Sequence, residues 1–220
     1  MKKIHTVLAA ALLAAGAAQA ANVTLHGSLA AWQAAAGASM AQDFSALANG
    51  TSLMGSEVLP GVTAGTNMGT LTVFSAEKTM FGAGAGTGSR AAGNAWYELD
   101  FSLGWAAAAF DITAFESSLP PYGIPSSAVD EGTVQIDFAD GDSASYAVAG
   151  GDGSAIFFGF TADTAVTRIR WVEAHEGSGG NEESSLDNLH VGRRTNTVPE
   201  PSSLLLAGGA LGLLLRRRRA

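Results

Sequence analysis

The run Tyr97-Glu98-Leu99-Asp100-Phe101-Ser102-Leu103 restricts the fold more than any other part of this chain. In an extended strand successive side chains point to opposite faces. Tyr97, Leu99, Phe101 and Leu103 therefore share one face, and Glu98, Asp100 and Ser102 the other. A segment patterned this way buries one face on a core and turns the other to water. The signature recurs along the chain. Val134, Ile136 and Phe138 alternate with polar residues, Asp140-Gly141 supplies a turn, and Ala144, Tyr146 and Val148 alternate on the return, which predicts a hairpin. Ile156-Phe157-Phe158-Gly159-Phe160 reads as a buried aromatic strand. After a turn at Ala162-Asp163 comes a further strand over residues 166–173, with Ile169 and Trp171 on one face and Arg168 and Arg170 on the other. Residues 108–115 and 186–191 are β-rich as well. About eight short strands, turn signals every ten or so residues and no sustained helical period predict an all-β, antiparallel β-sandwich.

Elsewhere the punctuation is denser. Residues 22–26 form a short β-like run, and residues 30–41 are rich in Ala and interrupted by Trp32 and Gly37. Asp43-Phe44 is expected to begin a second strand or extended arm. Gly50, Gly55, Pro60, Gly61 and Gly65 break residues 50–65 into turns. In Thr70-Leu71-Thr72-Val73-Phe74, Leu71 and Val73 share a face. Residues 82–88 (GAGAGTG) read as a flexible loop whose spacing lacks G-x-G-x-x-G and any Walker lysine, so it is no phosphate cradle. Residues 119–123 and the acidic, glycine-rich residues 176–185 read as loops, and residues 193–198 as a linker.

The two ends carry export signals rather than fold. Lys2 and Lys3 precede an apolar run over residues 7–18, and Ala18-Gln19-Ala20 fits the small-x-small cleavage pattern, so residues 1–20 read as a signal peptide and the mature chain as starting at Ala21. At the other end Pro199-Glu200-Pro201 has two residues with fixed φ and no amide donor, so no helix or central strand can run through it. Fourteen uncharged residues come next, 202–215. As a helix they would reach about 21 Å, short of the ~30 Å hydrocarbon core. Arg216, Arg217, Arg218 and Arg219 then stop the chain on the cytoplasmic side. A rigid triplet, a short apolar span and a basic stop read as a processing signal, with an ordinary single-span anchor as the alternative.

This tail closely resembles the PEP-CTERM sorting signal. The resemblance implies that exosortase acts at Pro199, Glu200 and Pro201 and removes the hydrophobic helix after a transient inner-membrane insertion. It also implies Sec-dependent export and a final place at the cell surface or outside the cell. The expected organisation is residues 1–20 signal peptide, 21–192 sandwich, 193–198 linker and 199–220 sorting signal. The Asp43-Phe44 start, the strand at residues 96–101, Phe157-Phe158-Gly159-Phe160 and Leu186-Asp187-Asn188-Leu189 together resemble the jelly-roll domains of such proteins, similar in outline to carbohydrate-binding modules.

The chemistry of the body is bounded by its charge. Residues 21–198 hold six Lys+Arg against 19 Asp+Glu, a formal charge of −13, because Lys2, Lys3 and the four terminal arginines lie outside them. Such a surface repels nucleic acid and anionic lipid. No cysteine is present, which excludes disulfides, lipoprotein modification and a thiol nucleophile. His175-Glu176 fails as a zincin motif because Gly179 stands where the second histidine belongs. Glu98 and Asp100, two residues apart on one strand face, have roughly the 6–7 Å separation of a glycosidase pair. The plainer account makes them solvated carboxylates of an outer face, and no catalytic residue is assigned. No cofactor is required, although hard oxygen ligands suit calcium. Asp137, Asp140 and Asp142 crowd the hairpin turn, and Gly150-Gly151-Asp152-Gly153 resembles one calcium-binding nonapeptide, with Ala155 where an Asp is expected. The resemblance to sandwich modules favours Asp43 and Asp187 around a structural ion. Ordinary turn chemistry is the alternative for all of these acids. Trp32, Trp96, Trp105, Tyr122 and Tyr146 are the aromatics available to stack on sugars, with Tyr122 expected to be exposed and the others in the core. Exopolysaccharide is the expected partner, and the ligand-binding residues are not identified by the sequence.

Overall fold

The computed structural model describes residues 21–74, 78–83, 96–113, 130–150, 155–173 and 184–193. These residues form strands β1 (Val23–His26), β2 (Ala38–Gln42), β3 (Glu57–Leu59), β4 (Val62–Thr66), β5 (Thr70–Phe74), β6 (Thr79–Ala83) and β7 (Trp96–Phe101). Next come β8 (Ala107–Thr113), β9 (Asp130–Phe138), β10 (Ser143–Gly150), β11 (Ile156–Ala162), β12 (Val166–Glu173) and β13 (Ser185–Arg193). One helix, α1 (Leu29–Ala36), lies between β1 and β2.

All strand pairs are antiparallel and divide into two sheets. The first runs β1-β11-β8-β13-β6-β5, with β2 also paired to β13, and the second runs β10-β9-β12-β7-β4-β3. Within them β6-β13-β8-β11 and β7-β12-β9-β10 form two four-stranded halves. The chain alternates between these halves at every step except the β9–β10 hairpin. That winding is a jelly roll. Tyr97, Leu99, Val134, Ile136, Ile169 and Trp171 of the second sheet share one buried cluster with Phe110, Ile112, Phe158, Phe160 and Val191 of the first. The period-2 patterns of β7, β9 and β12 thus place their apolar faces between the sheets.

Several local expectations are corrected. More strands exist than the alternation reveals: β3 and β4 occupy the stretch expected to be successive turns, and Gly82 and Ala83 belong to β6 rather than to a loop. Asp43-Phe44 is not a strand. β2 ends at Gln42, Asp43 Oδ1 accepts from Ser45 N at 3.1 Å, and Phe44 takes φ 57°. That turn drives the Phe44 ring fully into the core. The strand beginning near Tyr97 stops at Phe101, and Leu103 is 48% exposed instead of inward, lying over Gly61 where no side chain would fit. Ser184 and Ser185 are buried, not part of an exposed loop, and β13 continues through Arg193, one residue into the expected linker. Ala18, Ala20, Tyr122, Asp152, His175, the Pro199-Glu200-Pro201 triplet, the apolar tail and Arg216 to Arg219 lie outside the described residues. Among the described residues no helix is long and apolar enough to cross a membrane.

Candidate functional site on the open face of the second sheet

The two sheets differ in what covers them. On the outer face of the first sheet, α1 lays Trp32 and Ala36 onto Ala107 and Ala109, and Trp32 Nε1 donates to Phe160 O at 2.9 Å. The outer face of the second sheet is polar. Its register sets Glu98 beside Arg170 and Asp100 beside Arg168, with Gln135 and Asp137 next in line on β9. Arg168 Nε donates to Asp100 Oδ1 at 2.9 Å and lies 3.2 Å from Glu98 Oε2. Arg170 binds Glu98 through Nε at 3.0 Å and also through Nη2. Its guanidinium stands 4.4 Å from the centre of the half-buried Trp96 ring. The hydrogen bond to Asp100, then the charge of Glu98, push the Arg168 guanidinium further above its ordinary value. On the β4 side a Cβ at Gly65 would meet nothing within 4 Å, so the floor beside Glu98 is open.

This face offers fork-shaped donors, carboxylate acceptors, the exposed Gln135 amide and one indole edge, a set suited to hydroxyl-rich ligands. It is poorly suited to glycoside cleavage. Such a pair needs one carboxyl group free to deliver a proton, whereas Glu98 and Asp100 are both engaged by arginine. The aromatics divide differently from the expectation. Trp32 and Trp105 are core, but Trp96 belongs to the open face and Tyr146 is half-buried at the sheet edge. There Leu25, His26, Tyr146, Val148, Phe157 and Phe158 line a cleft of about 430 Å³. Burial raises the Tyr146 phenol above its ordinary value, and His26 Nε2 lies 3.1 Å from Thr161 Oγ1.

The acids named from the sequence separate into two groups. At the hairpin, Asp142 N donates to Asp140 Oδ1 at 3.0 Å, which is turn chemistry. Asp142 Oδ2 in turn accepts from Ala21 N at 3.0 Å. Asp43 is held in its own turn, its Oδ1 accepting from Ser45 Oγ at 2.8 Å and from Ser45 N, and these bonds lower its pKa. The register brings its charge near Asp187. β13 pairs with β6 through Ser185 and Leu186 and with β2 from Leu189, opposite Gln42, onward. The residues after Gln42 therefore arrive at the gap between these partners. The β13 register shifts between Asp187 and His190, a bulge in which Asn188 takes φ 48°. Among the described residues Asp187 Oδ1 is buried without a hydrogen-bond partner. Burial raises its pKa, and the charges of Asp111 and Asp43 add to the rise. Asn188 Nδ2 ties the bulge to Asp111 Oδ2 at 2.8 Å. Nearby, burial lowers the pKa of His190, whose ring centroid lies 5.7 Å from that of Trp32. Among the described residues no three carboxylate or imidazole side chains close into a metal shell. A cation at Asp187 and Asp43 would therefore draw its other oxygens from backbone and water.

Two contributors escape a reading of the sequence. Ser184 accepts from the Tyr97 hydroxyl through its carbonyl and from Trp171 Nε1 through Oγ at 2.7 Å, joining the second sheet to the start of β13. Ala21 shows itself in the sequence only as a cleavage product.

Residues 197–219 match the model of the PEP-CTERM protein-sorting motif. No curated protein matches the chain. Among solved structures, one described as a carbohydrate binding module of family 29 aligns with a TM-score of 0.41 at 11% identity, over 70% of this chain and 88% of that one. The chain thus carries a C-terminal PEP-CTERM protein-sorting motif behind a body of two antiparallel β-sheets, the mark of a protein handled by exosortase on its way to the cell envelope or surface.

Proposed function

We propose that the exported chain is a non-catalytic component of the cell surface or extracellular matrix, structural or adhesive within an exopolysaccharide. The observation that carries this reading is the pairing of a sorting motif at residues 197–219 with a body in which, among the described residues, nothing is packed on one broad, polar sheet face. The Sec machinery takes the precursor across the inner membrane. Residues 202–215 insert only until exosortase acts at Pro199, Glu200 and Pro201, with Arg216 to Arg219 held in the cytoplasm. Intact mass of the mature protein from its host is the test, beside a variant with the triplet replaced by alanines. The wild type is expected to lose its tail near the triplet and the variant to keep it. A wild type that keeps its tail would make this a membrane-tethered protein and end the surface assignment.

A second reading, a carbohydrate-binding module, is favoured by the Trp96–Arg170 stack beside Glu98 and Gln135. It differs from a purely structural role in requiring saturable affinity for a glycan. Trp96→Ala is expected to weaken retention on immobilised exopolysaccharide about tenfold, since losing one stacking ring costs on the order of 1–2 kcal/mol. Equal retention of both proteins would leave the structural role. A structural calcium ion at Asp187 and Asp43 belongs to the same proposal, as the group that would satisfy Asp187 Oδ1.

A further inference from the structure

We propose that Asp142 is the built-in counter-ion of the α-ammonium group created when export removes residues 1–20. Ala21 N donates to Asp142 Oδ2 at 3.0 Å across 121 residues of chain, in a partly buried position. The next residue is held from the opposite turn: Asn22 N donates to Asp163 Oδ1 at 2.8 Å and Asn22 Nδ2 to Asp163 Oδ2 at 2.7 Å. Asp163 N returns a bond to Asn22 O at 3.2 Å, and the Ala21 side chain packs against the core. Asp142 is itself oriented by its turn, through the hydrogen bond its N–H donates to Asp140 Oδ1 and through Gly141 at φ 92°. The carboxylates bonded to this terminus and its turn, Asp140, Asp142 and Asp163, favour a cation there.

The small-x-small pattern places the scissile bond between Ala20 and Ala21. In its hydrolysis by the membrane peptidase of the export route, water oxygen bonds the Ala20 carbonyl carbon and the C–N bond breaks. The nitrogen leaves as an amine that takes up a proton at neutral pH. Before cleavage this nitrogen is a neutral amide with one hydrogen. Afterwards it is a cation with three, and the contact to Asp142 becomes charge-assisted. Among the described residues β1 is an edge strand paired only with β11, and Asp142 belongs to the β9–β10 hairpin of the other sheet. Processing therefore fastens the free edge of one sheet to the other. Cleavage one residue later would delete the nitrogen from its site.

The experiment uses the processed protein purified from its host. N-terminal sequencing should begin at Ala21. At pH 7 the Ala21 amine should react with an N-hydroxysuccinimide ester about fivefold faster in Asp142→Asn than in wild type, with Lys78 unchanged as internal reference. A second measurement needs no variant: wild type selectively acetylated at Ala21 should melt about 2–4 °C below the unmodified protein. A different N-terminal residue would overturn the proposal, as would equal amine reactivity in a folded Asp142→Asn or an unchanged melting temperature after acetylation.

Discussion

Asp187 stands where β13 exchanges β6 for β2 as its neighbour, with one buried oxygen that no hydrogen-bond donor reaches among the described residues. Burial, then Asp111 and Asp43, raise its pKa above the ordinary aspartate value of 3.8. A raised pKa means the folded state holds this proton more tightly than the unfolded chain. Its contribution to stability is full below about pH 4 and is lost as pH rises through the folded value. At neutral pH without calcium, Asp187→Asn should therefore melt about 1–3 °C above wild type, an amount kept small by partial solvation. The gain should vanish below pH 4. Added calcium should raise the wild type and leave the variant unmoved. Thermal scans across pH, with and without calcium, check this, and a calcium-insensitive wild type would remove the ion from the proposal. His190 runs the other way. Its lowered pKa withholds a proton the unfolded chain accepts, so its contribution is present above pH 6.5 and falls as pH drops. The sequence marks Asp187 as an acid opening the last strand. The missing hydrogen bond is invisible there, because it depends on where two other strands end.

Among the elements, α1 is the least legible. Ala favours helix, yet an eight-residue helix is far below the length that is stable alone. The Ser28 hydroxyl accepts from Ala31 N at 3.3 Å and starts it, while Gly37 at φ 70° ends it. Its stability comes from docking on a floor of small residues. A Cβ at Gly192 would come within 2.9 Å of the Ala36 methyl, and Ala107 and Ala109 leave room for the Trp32 ring. Trp32→Ala should cost about 3–5 kcal/mol, read as a lowered urea midpoint with unchanged m. Trp32→Phe, which loses mainly the bond to Phe160 O, should cost about 1–2 kcal/mol. Equal effects would mean the hydrogen bond, not the packing, holds the helix. The β9–β10 hairpin is legible by contrast, because alternation on both arms and Asp140-Gly141 between them are local signals. β3 and β4 are hidden for the same kind of reason. Pro60 and Gly61 form a tight turn between two strands so short that their punctuation outweighs them.

At the scale of the molecule, the exported body's charge of −13 governs which glycans it can meet. Retention on uronate-rich polysaccharide should be weak at low ionic strength and rise as salt screens the repulsion, while retention on a neutral glycan should hardly change. A salt series on both matrices measures this, and a fall with salt on the anionic matrix would point to a local cationic contact instead. Export signals, acidity and the alternating strands come from sequence alone, since each depends on composition or on residues two to four apart. So does the sandwich, because half-buried strands without disulfides must cover one another's apolar faces. Which sheet carries α1 on its outer face, and which has a polar outer face open among the described residues, came only with the tertiary structure. The same holds for the arginines that engage Glu98 and Asp100, for the effect of the Asp43 charge on Asp187, and for the reach of Ala21 to Asp142. These pairings join residues 68 to 144 positions apart, and only strand order and register bring them within reach.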